Sequence, residues 1–291
     1  MLLKILFVIN PGSGKNDTDW KQQIETYFAN RPEEIQIFQL PDSCPPETIR
    51  EQMETFKPDR MMAVGGDGTV KLIAELTINT GMPIGIIPAG SANGMAKELG
   101  IPVKTEAALE TSHSSNTMKI HAIRINDELC IHLSDIGFNA FVVKKFESGN
   151  KRGMWAYVKA AWKVLWQHSK MDASMKVAGK DIRKNAAMIV IANATRYGSG
   201  ATVNPDGKLD DELFEVVIVK KVSFSEIFKM MVSHQPYNRE KTEVLQTRSL
   251  KINSRKKAHF QVDGEYLGKV SNIDAELLPA AITIVIPEKE N

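Results

Sequence analysis

Three glycines surround one carboxylate in Gly65-Gly66-Asp67-Gly68-Thr69, a run set between apolar Met61–Val64 and a helix-like stretch from Val70 and Lys71 to Leu76. Glycine lacks Cβ, so it accepts positive φ and lets a phosphate oxygen come close to the backbone. A helix start adds unpaired N–H groups and the positive end of its dipole. Such a turn suits a phosphate. Asp67 would repel a bare one, so its carboxylate either accepts hydrogen bonds that shape the turn or faces a Mg²⁺ that screens it from a nucleotide. Two other loops share this composition. Asn10-Pro11-Gly12-Ser13-Gly14-Lys15 follows strand-like Leu2–Ile9, and Pro88-Ala89-Gly90-Ser91-Ala92-Asn93-Gly94 follows strand-like Pro83–Ile87. In an open parallel sheet the strand C-termini lie along one ligand-binding edge, so the three loops can converge on one anion.

A second constellation lies near the C-terminus, in Val262-Asp263-Gly264-Glu265. An alcohol has a pKa far above neutrality, and a carboxylate that accepts its proton during group transfer contributes about 10²- to 10⁴-fold. Asp263 and Glu265 are two apart, which places them on one face of a regular strand, whereas Gly264 equally allows a turn. The acidic run Asp206-Gly207-Lys208-Leu209-Asp210-Asp211-Glu212-Leu213 reads either as a loop able to bind a hard cation or as a solvated hairpin.

The elements that must carry these residues divide near residue 115. Before it, strands and helices alternate: Leu3–Ile9, Asp19–Phe28, Ile35–Leu40, Pro46–Phe56, Met61–Val64, Val70–Asn79, Ile84–Ile87 and Ala92–Leu99. That is a βα repeat with a parallel sheet. After it, strand-like segments dominate, at 118–125, 129–136, 173–177, 187–192, 214–219, 249–252, 259–262 and 281–286. The expected fold is an α/β domain over 1–115, then a mainly antiparallel β-sandwich domain over 116–291.

Several function classes are disfavoured. Gly14-Lys15 is followed by Asn16 rather than Ser or Thr, so there is no Walker loop, and neither Gly-x-Gly run has the third glycine of a dinucleotide fingerprint. The two cysteines, Cys44 and Cys130, form no metal or disulfide pattern, and the six histidines are scattered. A formal charge of +2, from 37 Lys and Arg against 35 Asp and Glu, carries no nucleic-acid signature. No apolar run approaches the roughly 18 to 20 residues that span a bilayer. The chain begins directly with strand-like residues, so a cytosolic protein is expected. A homodimer is left open.

Taken together, the Asn10–Gly14, Gly65–Thr69 and Pro88–Asn93 loops and Val262–Glu265 resemble the diacylglycerol kinase catalytic-domain family, in that family's order and over about residues 3 to 286. The family includes soluble bacterial lipid kinases, sphingosine kinases and ceramide kinases. The resemblance implies ATP as phosphoryl donor, Mg²⁺ as cofactor and a lipid hydroxyl as acceptor, with the active site in the cleft between two domains. It implies a nucleotide site formed by Asn10, Gly12, Ser13, Gly14, Lys15, Gly65, Gly66, Asp67, Gly68, Thr69, Val70, Lys71, Gly90, Ser91 and Asn93. It also implies that one of Asp263 and Glu265 accepts the proton, with Asp67 supporting metal or loop geometry. A structural Mg²⁺ is implied at Asp211 with the main-chain oxygens of Lys208 and Leu213. The chain departs from the bacterial pattern at Lys71, where Asn is usual, at Gly94, where Asp is usual, and at Glu212, where Gly is usual. Its 88–94 loop is closer to the sphingosine kinase form. Two readings from other classes stand beside the kinase, a non-catalytic nucleotide- or lipid-binding regulator and an NAD kinase-like enzyme.

One more stretch bears on a membrane. Trp155, Val158, Trp162, Leu165 and Trp166 fall on one side of a helical repeat, just after Lys144, Lys145, Lys151 and Arg152. An aromatic face beside cations can engage anionic headgroups, and the same pattern serves a helix packed on the β domain.

Overall fold

The computed structural model describes residues 2–14, 18–147, 170–196, 202–223, 226 and 238–288, with the side chains of 144–147 and 239 outside that set. Lys15, Lys151, Arg152 and the Trp155–Trp166 stretch therefore lie outside the described residues, as do the side chains of Lys144 and Lys145. The chain forms two compact units, one from residues up to Ile120 together with those from Ala280 onward, the other His121–Pro279. Residues 280–288, read from sequence as part of the second domain, thus belong with the first.

The first unit alternates β1 (Lys4–Ile9), α1 (Trp20–Phe28), β2 (Glu34–Gln39), α2 (Pro46–Phe56), β3 (Arg60–Gly65), α3 (Asp67–Thr77), β4 (Pro83–Pro88), α4 (Gly94–Glu98) and α5 (Thr105–Thr111). Its strands pair in parallel in the order β2-β1-β3-β4. β1, β3 and β4 are apolar at successive positions because both faces are covered, and each has five consecutive buried residues. One face packs Ile5, Phe7, Ile9, Met62 and Val64 against Ile24 and Phe28 of α1 and Ala108 and Leu109 of α5.

The chain continues through β5 (Thr117–Ile125), β6 (Glu128–Cys130), β7 (Leu133–Gly137), α6 (Phe138–Glu147), β8 (Met171–Val177), β9 (Lys180–Ala186), β10 (Met188–Ala192), β11 (Phe214–Val219), β12 (Thr242–Thr247), β13 (Ser249–Val262) and β14 (Glu265–Val285). Antiparallel pairing runs β12-β11-β10-β7-β13-β14, with β8 on the first half of β13 and β9 on β8. Burial alternates along β8 and the start of β13, as expected for strands with one wet face. The inward positions Ala173, Met175, Leu250, Ile252 and Ile273 join Ile189, Ile191, Phe214 and Val216 in one core. Near the end of β14, Thr283 and Ile284 pair in parallel with Pro83 and Ile84 of β4. Among the described residues no helix is long and apolar enough to cross a membrane.

Candidate active site

The three small-residue loops leave the C-terminal ends of β1, β3 and β4, which are neighbours in the sheet. Side chains lock them together. Asn10 Oδ1 accepts from the Gly12 N–H at 3.0 Å, and Asn10 Nδ2 donates to Thr69 Oγ1 at 3.2 Å, which ties the first loop to the second. Asn93, at φ 51°, accepts from the Gly90 N–H at 2.9 Å and donates to the Gly90 carbonyl at 2.8 Å, closing the third loop on itself.

Helix α3 starts at Asp67, so the glycine turn is the helix's first turn rather than a loop before it. The Asp67 carboxylate reaches across to the third loop and accepts from the Gly94 N–H at 2.9 Å and the Met95 N–H at 3.0 Å. These are the first two residues of α4, whose opening N–H groups have no partner within the helix. Asp67 therefore shapes loop geometry directly. Gly94, where the family usually carries Asp, supplies one of the two donors. Lys71, the other departure in these loops, is buried on α3 with its ammonium 3.9 Å from Glu75.

The glycines permit close backbone contact. A Cβ on Gly90 would lie 2.5 Å from Gly66 Cα and 2.8 Å from Asn93 Oδ1. Backbone cannot step aside as a side chain can, so the loops would have to part. Gly90→Ala should fold but lose about 1 to 3 kcal/mol in urea unfolding, the usual cost of forcing extra volume into a packed site.

The acidic pair takes a different form from the shared strand face. Asp263 and Gly264 have φ of 50° and 89° and form the two-residue turn between β13 and β14, with Val262 paired to Glu265 across it. The Asp263 carboxylate is clasped by backbone: the Ile131 N–H donates to Oδ2 at 2.9 Å, and the His132 and Leu133 N–H groups each donate to Oδ1 at 3.0 Å. The Cys130 thiol lies 3.4 Å from Oδ1. This explains why the single strand expected over 129–136 is split into β6 and β7, because the N–H groups at 131–133 turn onto Asp263 instead of a neighbouring strand. Glu265 opens β14 with an exposed side chain. No sequence signal marks the Ile131–Leu133 donors, since backbone N–H groups belong to every residue type except proline.

The acidic loop is tied to the protein at several points. Asp211 Oδ1 accepts from the Leu213 N–H at 3.2 Å. Glu212 adopts φ 60°, the left-handed conformation that glycine takes freely. The Glu212 N–H donates to His121 Nε2, the His121 N–H donates to the Leu209 carbonyl, and the Glu212 carboxylate pairs with Arg248. Nothing in the sequence marks His121 and Arg248 as loop partners. Below the loop, burial raises the Glu215 carboxyl above the usual carboxylate range, against hydrogen bonds from Gln246 and Asn204 that lower it. Among the described residues no cluster of three His, Cys, Asp or Glu side chains could hold a metal. Asp211 with main-chain oxygens of the loop would make a hard-donor set suited to a cation that keeps several waters. Glu212→Gly should raise stability by about 0.5 kcal/mol, because relief of left-handed strain exceeds the loss of an exposed ion pair and the added freedom of the unfolded chain. Thermal unfolding without added metal would test it.

Residues 4–125 match the diacylglycerol kinase catalytic domain, and residues 134–286 match the YegS C-terminal NAD kinase beta sandwich-like domain. The chain belongs to the diacylglycerol kinase catalytic-domain family. Relatives include the Synechocystis protein sll0036, described as uncharacterized, 29% identical over 78% of this chain and 54% of its own length. Another is the Chromohalobacter salexigens protein named "Probable lipid kinase YegS-like", 26% identical over 79% of this chain and 76% of that one. The crystal structure of a diacylglycerol kinase from Bacillus anthracis superposes with a TM-score of 0.73 at 18% identity, covering 97% of this chain and 96% of that one. That likeness concerns the fold, and it agrees with the α/β plus antiparallel β architecture expected from the sequence.

Proposed function

We propose that this member of a lipid kinase family transfers the γ-phosphate of ATP to a lipid hydroxyl, with diacylglycerol or a sphingoid base as the acceptor class. The observation that carries the reading is the interlocking of three small-residue loops at adjacent strand ends, with Asp67 spanning two of them. Asn10, Gly12, Ser13, Gly14 and Lys15 would line the nucleotide site with Gly65–Lys71, Gly90, Ser91 and Asn93. Phosphoryl transfer is mainly positioning and charge neutralisation, which rigid N–H-rich loops supply. Bound Mg²⁺ would offset phosphate charge. A structural Mg²⁺ would be held at Asp211 with the main-chain oxygens of Lys208 and Leu213.

Of the two late acids, Glu265 takes the role of proton acceptor. Its side chain is exposed, whereas both oxygens of the Asp263 carboxylate are taken up by three backbone N–H donors and are committed to holding the turn. Asp263 is then the anchor of the turn that carries Glu265. A cytosolic enzyme reaching its acceptor at an anionic membrane, through Lys144, Lys145, Lys151, Arg152 and the Trp155–Trp166 stretch, completes the proposal.

The test is incubation with Mg²⁺ and γ-labelled ATP against diacylglycerol, monoacylglycerol, sphingosine, sphinganine, ceramide and phosphatidylglycerol, with NAD included because of the matched C-terminal domain. A labelled lipid supports the reading and names the acceptor. Labelled NADP would replace it with the NAD kinase-like one, and nucleotide binding without transfer would favour the regulator.

A further inference from the structure

Beneath the Asp263-Gly264 turn lies a buried carboxylate that the reaction as described does not use. Asp135, on β7, is 0% exposed and sits opposite Gln261 of β13 in the antiparallel pair. Its Oδ1 accepts from the Ala140 N–H at 2.7 Å, and its Oδ2 accepts from Asn139 Nδ2 and Gln261 Nε2 at 2.6 Å each. Gln261 is 1% exposed, and its Oε1 accepts from the Gly264 N–H at 2.7 Å. A backbone N–H can only donate, so the Gln261 oxygen must face Gly264 and its NH₂ must face Asp135. The polarity of the chain Asp135–Gln261–Gly264 is thereby fixed from end to end.

The rest of the turn is held equally. The Asp263 N–H donates to the Leu133 carbonyl at 2.9 Å, and Ser134 Oγ donates to the Gln261 carbonyl at 2.7 Å. An ionised carboxylate in a site with no exposure is costly unless it is fully paired. A buried acid at this position thus fixes the orientation of one amide, and that amide fixes the turn preceding Glu265.

We infer that Asp135 and Gln261 are positioning residues, a buried relay that sets the backbone of the Asp263-Gly264 turn and so aims Glu265 at the acceptor hydroxyl. The inference rests on the kinase reading with Glu265 as base. Misplacement of a reacting group by about 1 Å can cost about a hundredfold in rate. Asp135→Asn would place an NH₂ against the NH₂ of Gln261, and turning the Gln261 amide over only moves the donor–donor conflict to Gly264. Gln261→Glu would set two carboxylates side by side. The double variant, Asp135→Asn with Gln261→Glu, restores the donor–acceptor match along the chain from position 135 through 261 to Gly264. The amide introduced at position 135 donates to the carboxylate introduced at position 261, that carboxylate accepts from the Gly264 N–H, and Asn139 turns its amide over. Net charge is unchanged.

The experiment measures steady-state kinetics and amide hydrogen exchange of Gly264 in the full chain and these three variants, each first checked for folding by circular dichroism. Each single variant should lose about tenfold or more in kcat with KM for ATP within about twofold, and should lose Gly264 protection. The double variant should recover both. A purely structural role would lower thermal stability while leaving kcat of the folded fraction intact, and that outcome overturns the relay, as does a double variant no better than the singles. Should the single variants fail to fold, Asn139→Ala is the milder test, because it removes one support of Asp135. An unchanged kcat in Asn139→Ala overturns the inference, and a fall of about threefold or more at constant KM for ATP supports it. A wild-type chain inactive on every acceptor would sink the kinase reading and the relay with it, whereas active wild type with unaffected variants would sink the relay alone.

Discussion

Glu265→Gln should give a folded chain that still binds nucleotide and phosphorylates its lipid about 10²- to 10⁴-fold more slowly. Glutamine matches glutamate in shape but cannot take up the acceptor's proton, so the variant removes the chemistry and keeps the side chain's volume. Because Glu265 is exposed and glutamine keeps its size, stability should stay within about 0.5 kcal/mol of wild type. Initial rates at saturating lipid, paired with a thermal melt, would check both halves. A rate within about threefold of wild type would remove Glu265 as the base.

Asp263→Ala should fail in a different way. Three N–H groups, from Ile131, His132 and Leu133, would lose their shared acceptor together. Each unsatisfied donor in a buried setting costs about 1 to 3 kcal/mol, and water reaching the half-buried site reduces the sum. Alanine at φ 50° adds strain that aspartate tolerates better. The net expectation is a loss of about 3 kcal/mol in urea unfolding, with activity lost because the turn is no longer held. An Asp263→Ala protein as stable as wild type would show that the clasp contributes nothing. The contrast between the variants is the point: one acid should govern rate, its neighbour two positions away should govern structure.

Much of the first unit is legible in the sequence because its signals are local. Apolar runs ended by glycine-rich turns mark β1, β3 and β4 with small errors at their ends, and the βα alternation marks a parallel sheet. The start of α3 falls earlier than the pattern suggests, because Gly66 and Gly68 look like loop, whereas Asp67, Gly68 and Thr69 already form the helix. The second unit is harder because its determinants are remote in sequence. Asp263 and the N–H groups that split β6 from β7 are about 130 positions apart, and no spacing rule connects them. Asp135 does leave a trace. A carboxylate within apolar Leu133-Ser134-Asp135-Ile136 is buried whenever its strand is, so it must find donors, although their identity as Asn139 and Gln261 follows only from the fold. Glu212 shows the reverse case. The departure from glycine is visible in the sequence, but its left-handed backbone and its ties to His121 and Arg248 are not.

The parallel pairing of Thr283 and Ile284 with β4 also has a consequence for synthesis. A chain emerging from the ribosome completes the first four strands of the first unit by Pro88, yet the strand that covers the open edge of β4 is made about 195 residues later. Until then β4 presents unpaired N–H and C=O groups, the kind of edge that recruits strands from other chains. A fragment ending at Ile120 would retain that edge permanently, so the two units cannot be separated by a single cut. The final stretch of β14 therefore acts as a late quality check, since only a chain translated past Ile284 can close the sheet that bears the three small-residue loops.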